Sequence, residues 1–245
     1  MVDAGGVRTP AQVRAQQARG VLLASAVVTA ALWLIPGGEL VGYPLVLVST
    51  FVHEMGHGLA ALLVGGDFVQ LQVFGDASGV ALTATDGDAI DRAVVAGGGL
   101  VGPAVAAAIG FTLGRTARAA RLALLIGGVL GLVASALWVR SLVGWLVALG
   151  LVGVSLAVAL VPQDRWSQLW LVFLSVQLGL SVFSRGEYLF ASGAVTGAGV
   201  GRSDSAAIAD ALWFPHWFWG GVCGLISVAA LGYGAWLYLR AAADA

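Results

Sequence analysis

The chain has 245 residues, of which 59% are hydrophobic and only 10% are charged, with a formal net charge of −1. Soluble globular domains normally carry about 25% charged residues, so this composition excludes a soluble domain and indicates a protein that crosses a membrane several times. The low net charge and the lack of any basic cluster exclude nucleic acid as a partner. The single cysteine, Cys223, excludes an internal disulfide and a cysteine-rich zinc site.

Apolar runs long enough, or nearly long enough, to span a bilayer follow one another along the chain. They cover residues 20–36, 43–65, 93–114, 121–139, 142–161, 166–183 and 213–239. The first run is short and is stopped by Pro36-Gly37-Gly38, so we predict an all-α polytopic membrane protein with six or seven transmembrane helices.

Residues 1–19 precede the first apolar run and carry three arginines. We predict a short amphipathic stub there, with Thr9 as N-cap and Pro10 as the first helical residue. Short turns join the later apolar runs and leave no room for an extramembrane domain. We therefore expect residues 1–245 to form a single integral membrane domain.

The motif His53-Glu54-Met55-Gly56-His57 lies near the centre of the second apolar run. Two histidines four residues apart share one face of a helix, so both imidazoles can reach one tetrahedral cation. Glu54 is then placed to take a proton from a zinc-bound water, the role that this spacing serves in metalloproteases. The alternative is a buried helix with locally hydrogen-bonded histidines. It is disfavoured because an ionisable group near the centre of a membrane helix costs about 2.5–3.5 kcal/mol and usually marks function.

Two segments interrupt the helical pattern. Residues 67–85 alternate apolar and polar side chains around Asp76-Ala77-Ser78-Gly79, which predicts a short β-hairpin directly after the motif helix. This hairpin would either hold an extended substrate segment by edge pairing or serve as a plain amphipathic connector. Residues 186–201 are rich in glycine and are interpreted as a flexible stretch, either an entrance or lid for the site or a disordered loop.

A catalytic zinc normally has three protein ligands, so His53 and His57 need one partner. The candidates are Asp204, Asp210, Glu187 and His216. Asp204 is alternatively the N-cap of a short helix, Glu187 is more simply half of a loop charge pair, and His216 lies among aromatic residues typical of a membrane interface. Six residues separate the two aspartates, about 240° around a helix, so only one of them can face the metal.

Three further features accompany the motif: the hairpin after it, Gly102-Pro103 in the next apolar run, and Ser203-Asp204 before a final tryptophan-rich helix. Together they resemble the site-2 protease family of intramembrane zinc metalloproteases, in particular its compact branch without a PDZ domain. The resemblance covers most of the chain. It implies that zinc is held by His53, His57 and Asp204, with Glu54 as the base. The chain differs from well-studied members in having no asparagine and no Asn-Pro-Asp-Gly or Leu-Asp-Gly turn.

The resemblance implies a multi-pass protein of a bacterial plasma membrane that acts on a transmembrane protein substrate within the lipid bilayer. A substrate helix hides its carbonyl groups in its own hydrogen bonds, so it must unwind locally before it is hydrolysed. One alternative is a catalytically silent zinc-binding scaffold or regulator, although a site that only binds metal has no need of Glu54. A transporter is a weaker alternative because ionisable residues within the apolar runs are almost confined to the motif.

Overall fold

The computed structural model describes residues 10–184 and 189–244, which form helices joined by short turns and two β-hairpins. The helices are α1 (Pro10–Leu34), α2 (Gly38–Leu63), α3 (Ala89–Leu113), α4 (Ala117–Trp138), α5 (Leu142–Leu160), α6 (Arg165–Ser184), α7 (Asp204–Ala211) and α8 (His216–Asp244). The first hairpin consists of β1 (Asp67–Val73) and β2 (Gly79–Ala84), and the second of β3 (Gly193–Thr196) and β4 (Gly199–Arg202).

Six of the described helices, α2 to α6 and α8, are long and apolar enough to cross a membrane. The prediction of an all-α polytopic membrane protein with a short β-hairpin is therefore confirmed. Helix α1 is not among the six, and the apolar stretch found among its described residues is Arg19–Ala31. Helix α1 is continuous from Pro10 to Leu34. The predicted boundary at residue 19, between a short amphipathic stub and the first apolar run, therefore lies inside one helix. Thr9 lies outside the described residues.

Glycines set both ends of α2, the helix that carries the His-Glu-Met-Gly-His motif. Gly37 precedes the helix with φ 77°, a left-handed conformation that glycine adopts without strain. At the other end Gly65 has φ 81°, and the Gly66 N–H donates to the Ala61 carbonyl over 2.9 Å. This C-terminal cap stops the helix and turns the chain into β1.

Helices α2 and α3 pack closely through glycines. A Cβ on Gly56 would overlap the Gly98 carbonyl group, and a Cβ on Gly102 would come within 3.2 Å of the Gly56 Cα. Small residues at such an interface let two helix backbones approach each other. The close approach brings α3 beside the motif histidines.

The first hairpin lies against α2 rather than outside the helices. Its buried side chains share one apolar cluster with α2, α5 and the α4–α5 turn; the members are Leu47, Phe51, Phe68, Leu71, Val73, Val139, Val147 and Ala148. The turn is fixed to α2 by the Tyr43 hydroxyl, which donates to the Gly75 carbonyl over 2.5 Å, and by the Thr50 hydroxyl, which donates to the Ala77 carbonyl over 2.7 Å. The predicted hairpin is confirmed, and it reaches the depth of a membrane-spanning helix.

The outer edges of the two strands of this hairpin have different neighbours. The chain after α4 lies along β1, where the Arg140 N–H donates to the Leu71 carbonyl over 2.9 Å and the Val73 N–H donates to the Ser141 hydroxyl over 2.9 Å. The outer side of β2 borders a cleft instead.

The glycine-rich segment contains a second antiparallel hairpin, β3–β4, in which Val195 is paired with Val200. The described part of residues 186–201 therefore contains regular strands, whereas the interpretation of this segment as a flexible entrance or lid stays a prediction. After the hairpin, α7 packs on α3 and α8 through Ile208, which shares an apolar cluster with Ala96 and Cys223. This packing fixes the position of Asp204, the first residue of α7.

Candidate metal centre

Three side chains from two distant parts of the chain converge at one point. His53 Nε2 lies 3.0 Å from Asp204 Oδ2, and His57 Nε2 lies 3.3 Å from Asp204 Oδ1. The two Nε2 atoms of His53 and His57 are 3.2 Å apart. The helical spacing of four residues brings the two histidines together, and α7 adds the aspartate from the last part of the chain.

The hydrogen bonding of these atoms is compatible with a bound cation. His57 Nδ1 lies 2.8 Å from the Val95 carbonyl oxygen, which can only accept, so Nδ1 carries the proton and Nε2 of the neutral ring has a lone pair. Apart from the His53 ring, no donor among the described residues reaches the buried Asp204 Oδ2 atom. Two imidazole nitrogens and a carboxylate are a common set of ligands for catalytic zinc, and this set therefore fits Zn²⁺.

Ser203 caps α7, the helix whose first residue is Asp204. Its hydroxyl accepts a hydrogen bond from the Ala206 N–H over 3.2 Å and donates to the Ala191 carbonyl over 2.5 Å. The alternative interpretation of Asp204 as the N-cap is therefore wrong. Serine is a favoured N-cap residue, so Ser203 itself was the sequence signal for the true cap.

The other candidates for a third ligand lie elsewhere or outside the described residues. Asp210 forms a two-point ion pair with Arg202, with Arg202 Nε 2.8 Å from Asp210 Oδ2. The Arg202 guanidinium holds the pKa of Asp210 below its usual value. His216 Nε2 lies 3.1 Å from the Phe190 carbonyl oxygen. The structure thus brings only one of the two aspartates to the histidines, and Glu187 lies outside the residues described.

Glu54 lies beside the three-residue cluster and is buried, with 6% of its surface exposed. Its carboxylate accepts a hydrogen bond from the Ala81 N–H of β2. A Cβ on Gly79 would come within 2.6 Å of Glu54 Cγ and 2.7 Å of Glu54 Oε1, so the start of β2 holds the carboxylate in place. Sequence reasoning did not assign these roles to Gly79 and Ala81, because they depend on how the hairpin packs on α2.

A cleft of about 350 Å³ opens beside these groups. This volume lies within the usual range for small-molecule sites, about 300–1,000 Å³. Glu54, His57 and Asp204 line one part of the cleft, β2 lines another, and β3–β4 lines a third. Most of its lining residues are glycine, alanine, valine or threonine, so the cleft offers backbone groups and small side chains around the candidate metal position.

Comparison with known proteins identifies the family of the chain. No curated protein and no solved structure is significantly similar to the chain. The family model described as Peptidase M50B-like, which falls within the site-2 proteases, matches residues 23–234 and therefore most of the chain. The match includes the motif helix and α7. With six candidate membrane-spanning helices and a His-His-Asp cluster, the chain belongs to the Peptidase M50B-like family of site-2 proteases.

Proposed function

We propose that the protein is an intramembrane zinc metalloprotease of a bacterial plasma membrane, which hydrolyses peptide bonds of membrane-embedded protein substrates. The observation that carries the proposal is the position of Glu54. This buried carboxylate stands next to the His53, His57 and Asp204 cluster, on the wall of a cleft, without being part of the cluster. A hydrolase needs such a group, whereas a site that only binds metal does not.

In this proposal His53, His57 and Asp204 hold a zinc ion. Bound zinc supplies a Lewis acid that polarises the scissile carbonyl group and lowers the pKa of a coordinated water to about 7. The Val95 carbonyl fixes the tautomer and orientation of His57 through the 2.8 Å hydrogen bond to Nδ1. Ser203 and the Ala191 carbonyl hold the chain that presents Asp204.

Glu54 performs the proton transfers. Its carboxylate accepts a proton from the attacking water, whose oxygen bonds to the carbonyl carbon of the substrate, and then gives this proton to the leaving nitrogen as the C–N bond breaks. The Ala81 N–H and the absence of a side chain at Gly79 keep the Glu54 carboxylate in one orientation throughout.

We also propose that the substrate lies along β2 as an unwound strand. Val80, Ala81 and Thr83 of β2 line the cleft next to Glu54, whereas the outer edge of β1 is occupied by the chain around Arg140. Pairing with a strand edge satisfies the backbone groups that a transmembrane helix exposes when it unwinds. The other interpretation of the hairpin, as a plain connector, does not account for its contacts with Glu54.

Replacing Glu54 with glutamine tests the proposal. The variant keeps the size of the side chain and removes its capacity to accept the proton, so we expect unchanged zinc content and complete loss of cleavage. Cells that carry only Glu54→Gln should accumulate uncut membrane proteins, identified by quantitative proteomics of the membrane fraction. Unchanged processing in these cells would eliminate the protease and leave the silent zinc-binding scaffold, whose partner binding should persist without any uncut substrate.

A further inference from the structure

Helices α1 and α6 line a groove of about 570 Å³ that is separate from the cleft at the metal centre. Its apolar side chains are Val21, Ala24 and Val28 of α1 and Leu169 and Phe173 of α6, and Arg165, the first residue of α6, also lines it. No described residue lines both the groove and the cleft. The proposed protease function therefore gives the groove no role.

Both helices change from polar to apolar at the same end of the groove. The apolar stretch of α1 begins at Arg19, and α6, a candidate span, begins with Arg165 and Trp166. Farther along the two helices, the Gln177 side chain donates to the Thr29 hydroxyl over 2.5 Å. This bond lies ten residues after Arg19 and twelve after Arg165, so the helices run in parallel with the two arginines at one end. That end lies at the level of the lipid headgroups, since tryptophan and terminal arginines of membrane helices are typical of the interface.

The groove has the depth of one acyl chain. Phe173 lies eight residues after Arg165, which is a rise of about 12 Å along α6. One leaflet of the hydrocarbon core is about 15 Å thick, half of the whole core. Gly20 and Ala24 leave the α1 side of the groove open because they have little or no side chain. The groove therefore extends from headgroup level through most of one leaflet, and a lipid chain is an apolar group that can enter it from there.

The end of the groove at Arg19 and Arg165, here called the mouth, carries positive charge without a matching carboxylate. Both arginines are exposed, and within the described residues no carboxylate forms an ion pair with either of them. The neighbouring Asp164 pairs with Arg121 over 2.8 Å instead. The Arg165 guanidinium lies 5.4 Å from the centre of the Trp166 ring, a contact that leaves its charge in place. A phosphate group, with its several acceptor oxygens, matches two such guanidinium groups.

The turn between α3 and α4 adds positive charge near the mouth. The Gln168 side chain, which lines the groove, donates to the Gly114 carbonyl over 2.8 Å and holds this turn beside α6. Arg115 follows in the turn and Arg118 in the first turn of α4, and both side chains are exposed. Basic groups at the ends of membrane helices attract anionic phospholipids. The charge at this end of the bundle therefore suits an anionic headgroup.

We propose that the α1–α6 groove binds one anionic phospholipid, with its phosphate between Arg19 and Arg165 and one acyl chain directed toward Phe173. The two guanidinium groups donate charge-assisted hydrogen bonds to the phosphate oxygens. The lipid then joins α1 to α6. A tight turn, in which the Gly38 N–H donates to the Ile35 carbonyl over 2.8 Å, connects α1 to the motif helix, so the lipid also supports the start of α2. This inference does not depend on the proposed protease function.

Native mass spectrometry of the purified full chain in detergent tests the role of the two arginines. The probe is an equimolar mixture of phosphatidylglycerol and phosphatidylcholine with the same acyl chains. We expect the parent to retain one phosphatidylglycerol in preference to phosphatidylcholine, and Arg19→Gln and Arg165→Gln each to bind it about 5-fold more weakly. Arg92→Gln changes an exposed arginine outside the groove and, as the matched control, should bind like the parent. Equal binding of the two lipids by the parent, or an unchanged preference in both groove variants, would overturn the proposal.

The place of the acyl chain is tested with Ala24→Trp, which fills the groove, and with Leu23→Trp, which changes an exposed position outside it. We expect Ala24→Trp to lose phosphatidylglycerol and Leu23→Trp to retain it; equal retention would overturn the proposal. Inorganic phosphate at the same concentration should not displace the lipid, because it has no chain to fill the groove. Displacement would assign the mouth to free phosphate instead. A dimer that Ala24→Trp dissociates and Leu23→Trp does not would show that a second copy covers the groove, which would also overturn the lipid site.

Discussion

Gly99 of α3 lies so close to the imidazole ring of His57 that a Cβ at position 99 would overlap the ring. One turn earlier on the same helix, the Val95 carbonyl accepts a hydrogen bond from His57 Nδ1. Helix α3 thus holds the ring from one side by a hydrogen bond and leaves space for it on the other by lacking a side chain. The absence of a side chain at position 99 is part of the candidate metal centre.

Gly99→Ala should therefore displace the His57 ring and weaken zinc binding. Changes that disturb the orientation of a ligand typically lower metal affinity about 10- to 100-fold, and we expect a loss of this size in competition titrations with a chelator. Gly97→Ala is the matched control on the same helix, because among the described residues the only atom within 4 Å of its added Cβ is Ile208 Cδ1 at 4.0 Å. Equal zinc affinities for the two variants would show that His57 does not depend on this contact.

Variants of Gly79 and Gly75 test proton transfer separately from metal binding. Gly79→Ala would place a Cβ within 2.6 Å of Glu54 Cγ and 2.8 Å of Thr50 Cγ2, so the Glu54 carboxylate has to move. We expect cleavage to fall at least about 100-fold, as for a misplaced catalytic group, while zinc content is retained. In Gly75→Ala, in the turn of the same hairpin, no atom of the described part of the chain lies within 4 Å of the added Cβ, so this variant should cleave normally. The proposed role of the hairpin is contradicted if both variants cleave at the parent rate.

The cap of α7 should control how firmly Asp204 is held. Ser203→Ala removes the acceptor for the Ala206 N–H and the donor to the Ala191 carbonyl, and the loss of such a cap costs about 0.5–2 kcal/mol. We expect faster release of zinc, measured by stopped-flow mixing with a chelating dye. Ser205→Ala loses a longer hydrogen bond to the same carbonyl, 3.3 Å, and a 3.2 Å contact with the Ser203 hydroxyl, but it keeps the cap, so it should release zinc more slowly than Ser203→Ala. The reverse order would rule out Ser203 as the residue that positions Asp204.

The local parts of the fold and the site follow from the sequence. The apolar runs predicted the helices, since a run of about 20 apolar residues is long enough to span a bilayer, and the six candidate spans fall on six of these runs. The spacing of His53 and His57 predicted that their rings meet, because four residues bring side chains to one face of a helix. The alternation of apolar and polar side chains in residues 67–85 predicted the first hairpin, because successive side chains of a strand point to opposite faces.

The non-local parts did not follow from sequence patterns. The strands of β3–β4 have four residues each and contain glycine at several positions, so their composition indicates a loop rather than a hairpin. The contacts of Gly79 with Glu54 and of Gly99 with His57 join segments more than 20 residues apart and have no local signature. Asp204 was chosen among four candidates through the family resemblance. Its position next to the histidines comes from the packing of α7 on α3 and α8.

The most direct measurement is the zinc content of the purified full chain and of two matched variants, determined by inductively coupled plasma mass spectrometry. Asp204→Asn changes the carboxylate that lies 3.0 Å and 3.3 Å from the two histidines, whereas Asp210→Asn changes one that is paired with Arg202. We predict about one zinc ion per chain in the parent and in Asp210→Asn, as for a single catalytic site, and strongly reduced zinc in Asp204→Asn. Full zinc occupancy in Asp204→Asn, or none in the parent, would contradict the proposed metal centre.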